Sequence, residues 1–276
     1  MNSIDIYQVD AFTNRPFKGN PAAVCTLENT LDDNTYLNIA REMNLSETAF
    51  VFPESGNGLN NSKKLHLRWF TPKTEVPMCG HATLATSWIL FTEYDHRGRI
   101  TFKTRSGLLK SELIDKGVRL DFPQDPPIEI AEPDSLSKAL NYDKKYRTFY
   151  GKKTGYILLQ LESEEDVRDL NPDFNLLENF SFNKNLRGLI VTSVSSNEVD
   201  FVSRFFDPWE GINEDPVTGS AHTVLGPFWS KILKKNEMSA RQLSQRTGEI
   251  FISLPDKNRV YITGNAVTIF KAKMFI

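Results

Sequence analysis

The sequence carries one short pattern twice. Pro77-Met78-Cys79-Gly80-His81-Ala82-Thr83 and Pro216-Val217-Thr218-Gly219-Ser220-Ala221-His222 share proline, glycine and alanine in register, 139 residues apart in a chain of 276. That offset is far longer than the roughly 20–50 residues of a solenoid repeat. It points instead to two duplicated domains, in keeping with about 100–200 residues per domain. Each copy leads into an apolar segment. Ala82, Leu84, Ala85, Trp88, Ile89 and Leu90 crowd nearly every face of a helix predicted over residues 80–94, and a second helix, carrying Trp229, is predicted from about Gly219. A helix apolar almost all round is a buried one.

Glycine at the mouth of such a helix has a chemical use. The first N–H groups of a helix lack intrahelical partners, and the helix dipole adds positive potential there. Glycine also lets a ligand approach that backbone closely. Two such ends facing one cleft would suit a substrate bearing a carboxylate. The alternative is that Gly80 and Gly219 only permit close packing.

Composition narrows the function further. Lys and Arg number 33 against 35 Asp and Glu, so the chain offers no overall charge for a phosphate backbone, and nucleic acid is not an expected partner. Two cysteines, Cys25 and Cys79, are too few for a disulfide scaffold or a four-cysteine zinc site. The first twenty residues carry scattered charges and no apolar core, so no signal peptide is expected. No apolar run approaches the roughly 20 residues of a membrane span. A soluble, cytoplasmic protein is the expectation. Neither H-E-x-x-H, a P-loop nor G-x-G-x-x-G occurs, and the four histidines lack ligand-like spacing. No metal, nucleotide or other cofactor is therefore expected, and His66 and His96 are read as surface or strand-face residues.

Strands are predicted at residues 4–12, 22–27, 45–52, 65–70, 100–104 and 108–122, the last broken into a hairpin at Asp115-Lys116-Gly117. Thr30 with Asp33 resembles a capping box opening a helix to about Asn44, which leaves Ser46 and Glu47 at a helix-to-strand junction. Prolines at 123, 126, 127 and 133 suit a domain connection. Beyond them come a short helix near residues 135–140, strands at 154–161, 186–192 and 201–206, and closing strands at 249–254, 260–263 and 266–276.

Six stretches together resemble the phenazine-biosynthesis PhzF-like proteins, of the diaminopimelate-epimerase-like fold. They are Asp10-Ala11-Phe12, Gly19-Asn20-Pro21-Ala22-Ala23-Val24, Leu45-Ser46-Glu47-Thr48-Ala49-Phe50, Phe70-Thr71-Pro72, Cys79-Gly80-His81-Ala82-Thr83 and Glu214-Asp215-Pro216-Val217-Thr218-Gly219-Ser220-Ala221. The resemblance implies an α+β chain of two pseudo-symmetric domains, each a curved, mostly antiparallel, barrel-like sheet around a central buried helix. The domains are expected at 1–122, completed by the last strand 266–276, and at 123–265. It also implies an active site in the cleft between them and a homodimer.

By the same resemblance Glu47 is the principal acid/base, with His81, Asp215 and Ser220 as positioning groups and proton partners. Gly80 and Gly219 bind the substrate's anionic group through their backbones, flanked by Ser46, Cys79 and Thr218. The expected activity is a cofactor-independent isomerisation of a small carboxylic acid, moving a proton between carbons. Racemisation within the same fold, and a non-catalytic interaction protein keeping the fold, are the alternatives. In epimerases of this fold two cysteines serve opposite faces of the substrate. Here Cys79 has Thr218 as its counterpart, and a threonine hydroxyl is no base near neutral pH. Two-thiol chemistry is disfavoured, and Cys79 and Cys25 are read as small buried residues. Helix capping would equally account for Asp215 and Ser220, ordinary packing for His81, and surface exposure for Glu47.

Overall fold

A computed structural model describes residues 3–54, 58–62, 64–182 and 185–276. It divides into two compact units, Met1–Phe122 with Tyr261–Ile276, and Pro123–Val260.

In the first unit Ser3–Ala11 lies between Asn20–Thr26 and Ala266–Phe275, antiparallel to both, with Val9 opposite Ala22 and Thr268. Asn20–Thr26 runs parallel to Thr48–Pro53, which is antiparallel to Lys64–Phe70. That strand is parallel to Arg99–Thr104, which opens a meander through Gly107–Ile114 and Gly117–Pro123. The second unit repeats the alternation. Arg147–Gly151 is antiparallel to Tyr156–Gln160, and that strand is parallel to Gly188–Val194. Gly188–Val194 is antiparallel to Phe201–Asp207, which is parallel to Glu237–Gln242, itself antiparallel to Gly248–Ser253.

Each parallel step needs a crossover, and helices supply it. Asp33–Met43 and Gly80–Glu93 serve the first unit; Glu164–Asp169 with Phe174–Glu178, then His222–Leu233, serve the second. The duplication seen in two heptapeptides thus extends to the strand pairings.

The Gly80–Glu93 helix is buried along nearly its whole length and packs on strands Ser3–Ala11, Asn20–Thr26, Thr48–Pro53, Gly107–Ile114 and Ala266–Phe275. Its polar residues survive burial by bonding one turn back. Thr83 donates to the Cys79 carbonyl (2.5 Å), Thr86 to Ala82 (2.7 Å) and Ser87 to Thr83 (2.8 Å). The second central helix repeats the device. His222, at the place of Thr83, uses Nδ1–H to donate to the Thr218 carbonyl (2.9 Å). Both signature tryptophans donate their indole N–H to a threonine hydroxyl, Trp88 to Thr268 and Trp229 to Thr192.

Two sequence expectations need correction. The His222–Leu233 helix does not start at Gly219. Residues 219–221 enter it as a tight turn, with His222, Thr223 and Val224 donating to carbonyls three residues back. The first helix is capped by Asp32, which accepts from the Thr35 N–H, and not by Thr30, whose hydroxyl lies 3.2 Å from that of Tyr36. The proline-rich segment begins where the two units divide, one ending at Phe122 and the other opening at Pro123. Ile128–Ile130 within it pairs with Arg147–Gly151, and Asp125 donates its N–H to Thr223.

Candidate active site

In the first unit, the Asp33–Met43 helix stops at Asn44, whose left-handed φ of 49° ends it. Leu45, Ser46 and Glu47 cross to the strand beginning at Thr48, and the Glu47 carbonyl accepts from the Ala23 N–H. That bond anchors Glu47 to the neighbouring strand. Its carboxylate Oε2 lies 3.3 Å from Nε2 of His81. Ser46 Oγ stands 3.4 Å from the same nitrogen, and Cys79 Sγ 3.5 Å from Nδ1. Three of the residues singled out in the sequence, Ser46, Glu47 and Cys79, therefore gather round the imidazole of a fourth, His81.

The local fold explains why. Cys79 is extended and caps the Gly80–Glu93 helix without a side-chain hydrogen bond to it. The helix start therefore has no side-chain acceptor from its own N-cap, and the first N–H groups of a helix are anion donors. Cys79, Glu47 and His81 also offer three metal-ligating atoms within 4.8 Å of one another. Histidine spacing did not reveal this, because Glu47 comes from a different element.

In the second unit, Asp215 Oδ2 accepts a short bond from the Thr218 hydroxyl. Buried Gln242 holds the loop between them: its Nε2 donates to the Asp215 carbonyl (2.7 Å), and its Oε1 accepts from the Thr218 N–H (2.9 Å). Ser220 Oγ lies 2.9 Å from the Tyr156 hydroxyl. Neither Asp215 nor Ser220 caps the following helix, whose N-cap, Ala221, has no side-chain bond.

Tyr156 and Gln242 escaped the sequence analysis because each reaches the loop from a distant strand. Tyr156 is closely packed where it stands. A Cβ at Gly188, its Cα partner on the next strand, would come within 2.3 Å of the Phe205 ring, which meets Tyr156 edge-on at 5.0 Å. Burial pushes the Tyr156 phenol up to about 12. Asp207 is pushed up to about 8, first by burial and then by the charges of Glu210 and Asp215. At neutral pH both keep their protons, so this unit places two protonated acids near the Asp215 carboxylate.

The remaining histidines have structural work. His66 stacks on Phe52, its partner across the antiparallel pair of strands. His96 is buried, not on the surface, and its Nε2 bonds the Leu59 carbonyl (2.6 Å). Among the described residues no helix is long and apolar enough to cross a membrane.

A mixed sheet with few helices, in this pairing order, defines an α+β chain of the diaminopimelate-epimerase-like class. A solved probable proline racemase from Agrobacterium radiobacter superposes over 99% of this chain and 93% of its own, with a TM-score of 0.62 at 11% identity, a likeness of fold alone. The phenazine biosynthesis-like protein family, PhzC-PhzF, matches residues 9–272, and the chain belongs to it. A crystal structure of a PhzF-family phenazine biosynthesis protein from Enterococcus faecalis is 40% identical, covers all of both chains and has a TM-score of 0.91. An uncharacterized isomerase of Halalkalibacterium halodurans is 46% identical over the full length of both.

Proposed function

We propose that this protein is a cofactor-independent isomerase of a small carboxylic acid, with Glu47 moving a proton from one carbon to another. The observation that carries the reading is the Glu47 carboxylate held 3.3 Å from the His81 imidazole beside a helix start without a side-chain cap. The relative from Halalkalibacterium halodurans, named an isomerase, supports the class.

In this reading Glu47 takes a proton from carbon and keeps it. The negative charge left on the substrate is enolate-like, and N–H groups at the Gly80 helix start stabilise it as an oxyanion hole would. Glu47 then returns the proton at another carbon. His81 has one nitrogen toward Glu47 and the other toward Cys79, so it can pass or hold a proton as Glu47 changes charge. In the second unit Ser220, Thr218 and the Gly219 backbone form a further group of donors suited to a carboxylate, with Asp215 orienting Thr218 through their hydrogen bond. Gln242 and Tyr156 are positioning residues for that loop.

The test is proton NMR in D₂O with a panel of unsaturated and amino-substituted carboxylic acids, including the phenazine precursor dihydrohydroxyanthranilate. Wild-type protein is expected to place deuterium on carbon. Glu47→Gln should slow this by roughly 100-fold to 10,000-fold, the usual contribution of a general acid/base. Undiminished exchange in Glu47→Gln would remove Glu47 from its role. Deuterium entering only at the original stereocentre would identify a racemase instead.

A further inference from the structure

Glu47, Cys79 and His81 come from two elements yet present a carboxylate, a thiol and an imidazole to one small volume. We propose that these three side chains form a binding site for Zn²⁺, and that an ion bound there stops the proton transfer assigned above to Glu47. The inhibitory half rests on that assignment; the binding half does not.

Donor chemistry selects the ion. Thiolate with imidazole and carboxylate is a borderline-soft set that suits Zn²⁺, whereas Mg²⁺ and Ca²⁺ take oxygen ligands. Charge also balances: a thiolate and a carboxylate neutralise the dication, and His81 binds as the neutral ring. Three protein ligands leave a fourth tetrahedral position for water or a substrate oxygen.

Geometry is close to what the ion needs. Zn–S and Zn–N bonds of about 2.3 and 2.0–2.1 Å at a tetrahedral angle put sulfur and nitrogen about 3.6 Å apart. Cys79 Sγ and His81 Nδ1 already stand 3.5 Å apart. The three ligand atoms lie within 4.8 Å of one another, and the Glu47 carboxylate, now beside Nε2, completes the set by swinging its flexible side chain toward the Nδ1 edge. With Nδ1 on the metal, Nε2–H is free to donate to Ser46 Oγ, 3.4 Å away. An imidazole ligand regularly makes such an outer bond, which fixes its tautomer and ring plane.

The ligands are also held in advance. Cys79 is 6% exposed and His81 5%, both at the start of a buried helix, and the Glu47 side chain is 16% exposed beside them. An ion there takes up the Glu47 carboxylate that the isomerase reading needs as its base. The same three residues thus give the enzyme a reversible off state set by available zinc.

The experiment titrates ZnCl₂ into the metal-free full-length protein by calorimetry and repeats the titration with CoCl₂ by absorption. One Zn²⁺ per chain is expected, with a sulfur-to-cobalt charge-transfer band in the near ultraviolet. Cys79→Ser should abolish that band and weaken Zn²⁺ binding by at least about 100-fold, more than the loss of an outer-sphere partner costs. Glu47→Gln should weaken binding without touching the thiolate band, while Cys25→Ala, which removes the other thiol, should bind as wild type. Absence of a 1:1 site, or binding that survives both Cys79→Ser and Glu47→Gln, overturns the proposal.

Deuterium exchange on any active acid should stop at one equivalent of Zn²⁺ and resume with chelator. Full exchange with zinc bound overturns the proposal, since Glu47 is then no ligand. Zinc bound by a protein that exchanges no acid sustains the site and counts against the isomerase reading.

Discussion

His222 shows how one residue reports on a duplicated architecture. Where the first unit has Thr83 bonding back to Cys79, the second has an imidazole bonding back to Thr218, fully buried. Burial pushes its pKa down to about 4, against an opposing pull from the Thr218 carbonyl. The unfolded chain binds this proton near pH 6.5 and the folded chain does not, so the stability His222 contributes is complete above 6.5. It is lost as pH falls toward 4, to the extent of up to about 3 kcal/mol. Thermal melts from pH 7 to 4 should show that decline, and His222→Thr, which keeps a donor to Thr218, should flatten it. At this scale the candidate residues were legible wherever a motif held them together: Ser46 with Glu47, Cys79 with His81, Asp215 through Ser220. Tyr156, Asp207 and Gln242 were not, because only strand pairing brings them to the 215–220 loop.

Gln242 belongs to the scale of elements. It ends the Glu237–Gln242 strand, a strand the alternation of apolar residues did not reveal, because only Met238 and Ala240 are apolar and the third buried position is Gln242 itself. From there its amide serves an N–H and a carbonyl of the 215–218 loop at once. Gln242→Leu keeps the bulk but leaves both buried backbone groups without that partner. A loss of about 2 kcal/mol or more is expected in urea melts, together with weaker carboxylate binding if the loop holds the substrate as proposed.

Helices of the second unit were missed for a related reason. Glu164–Asp169 and Phe174–Glu178 are too short to show a period, and what marks them is a side-chain cap at Ser163 and at Asp173. They cover the face of the sheet turned away from the His222–Leu233 helix, where Ile157, Leu159, Leu189 and Val191 pack with Val167 and Leu177. A sheet buried on both faces reads as an unbroken apolar run, so Ile157-Leu158-Leu159 identified a strand without saying what lay on either side.

For the molecule as a whole, the heptapeptide repeat predicted more than its own length. The same succession of antiparallel and parallel pairs recurs in both units, each parallel step bridged by helix. The units differ in how the chain threads them: Pro123–Val260 is continuous, while the other unit is assembled from both ends of the sequence. Ser3 sits opposite Phe275 in the antiparallel pair that joins those ends. A peptide of a few residues can therefore connect them, and the chain can be reopened between Pro126 and Pro127, ahead of the Ile128–Ile130 strand. In that circular permutant the unit now assembled from both ends of the sequence is one uninterrupted stretch. It should fold to the same structure with a melting temperature within a few degrees of the parent, and refold faster, because the pairing of Ser3–Ala11 with Ala266–Phe275 changes from the longest loop closure in the chain to one of the shortest.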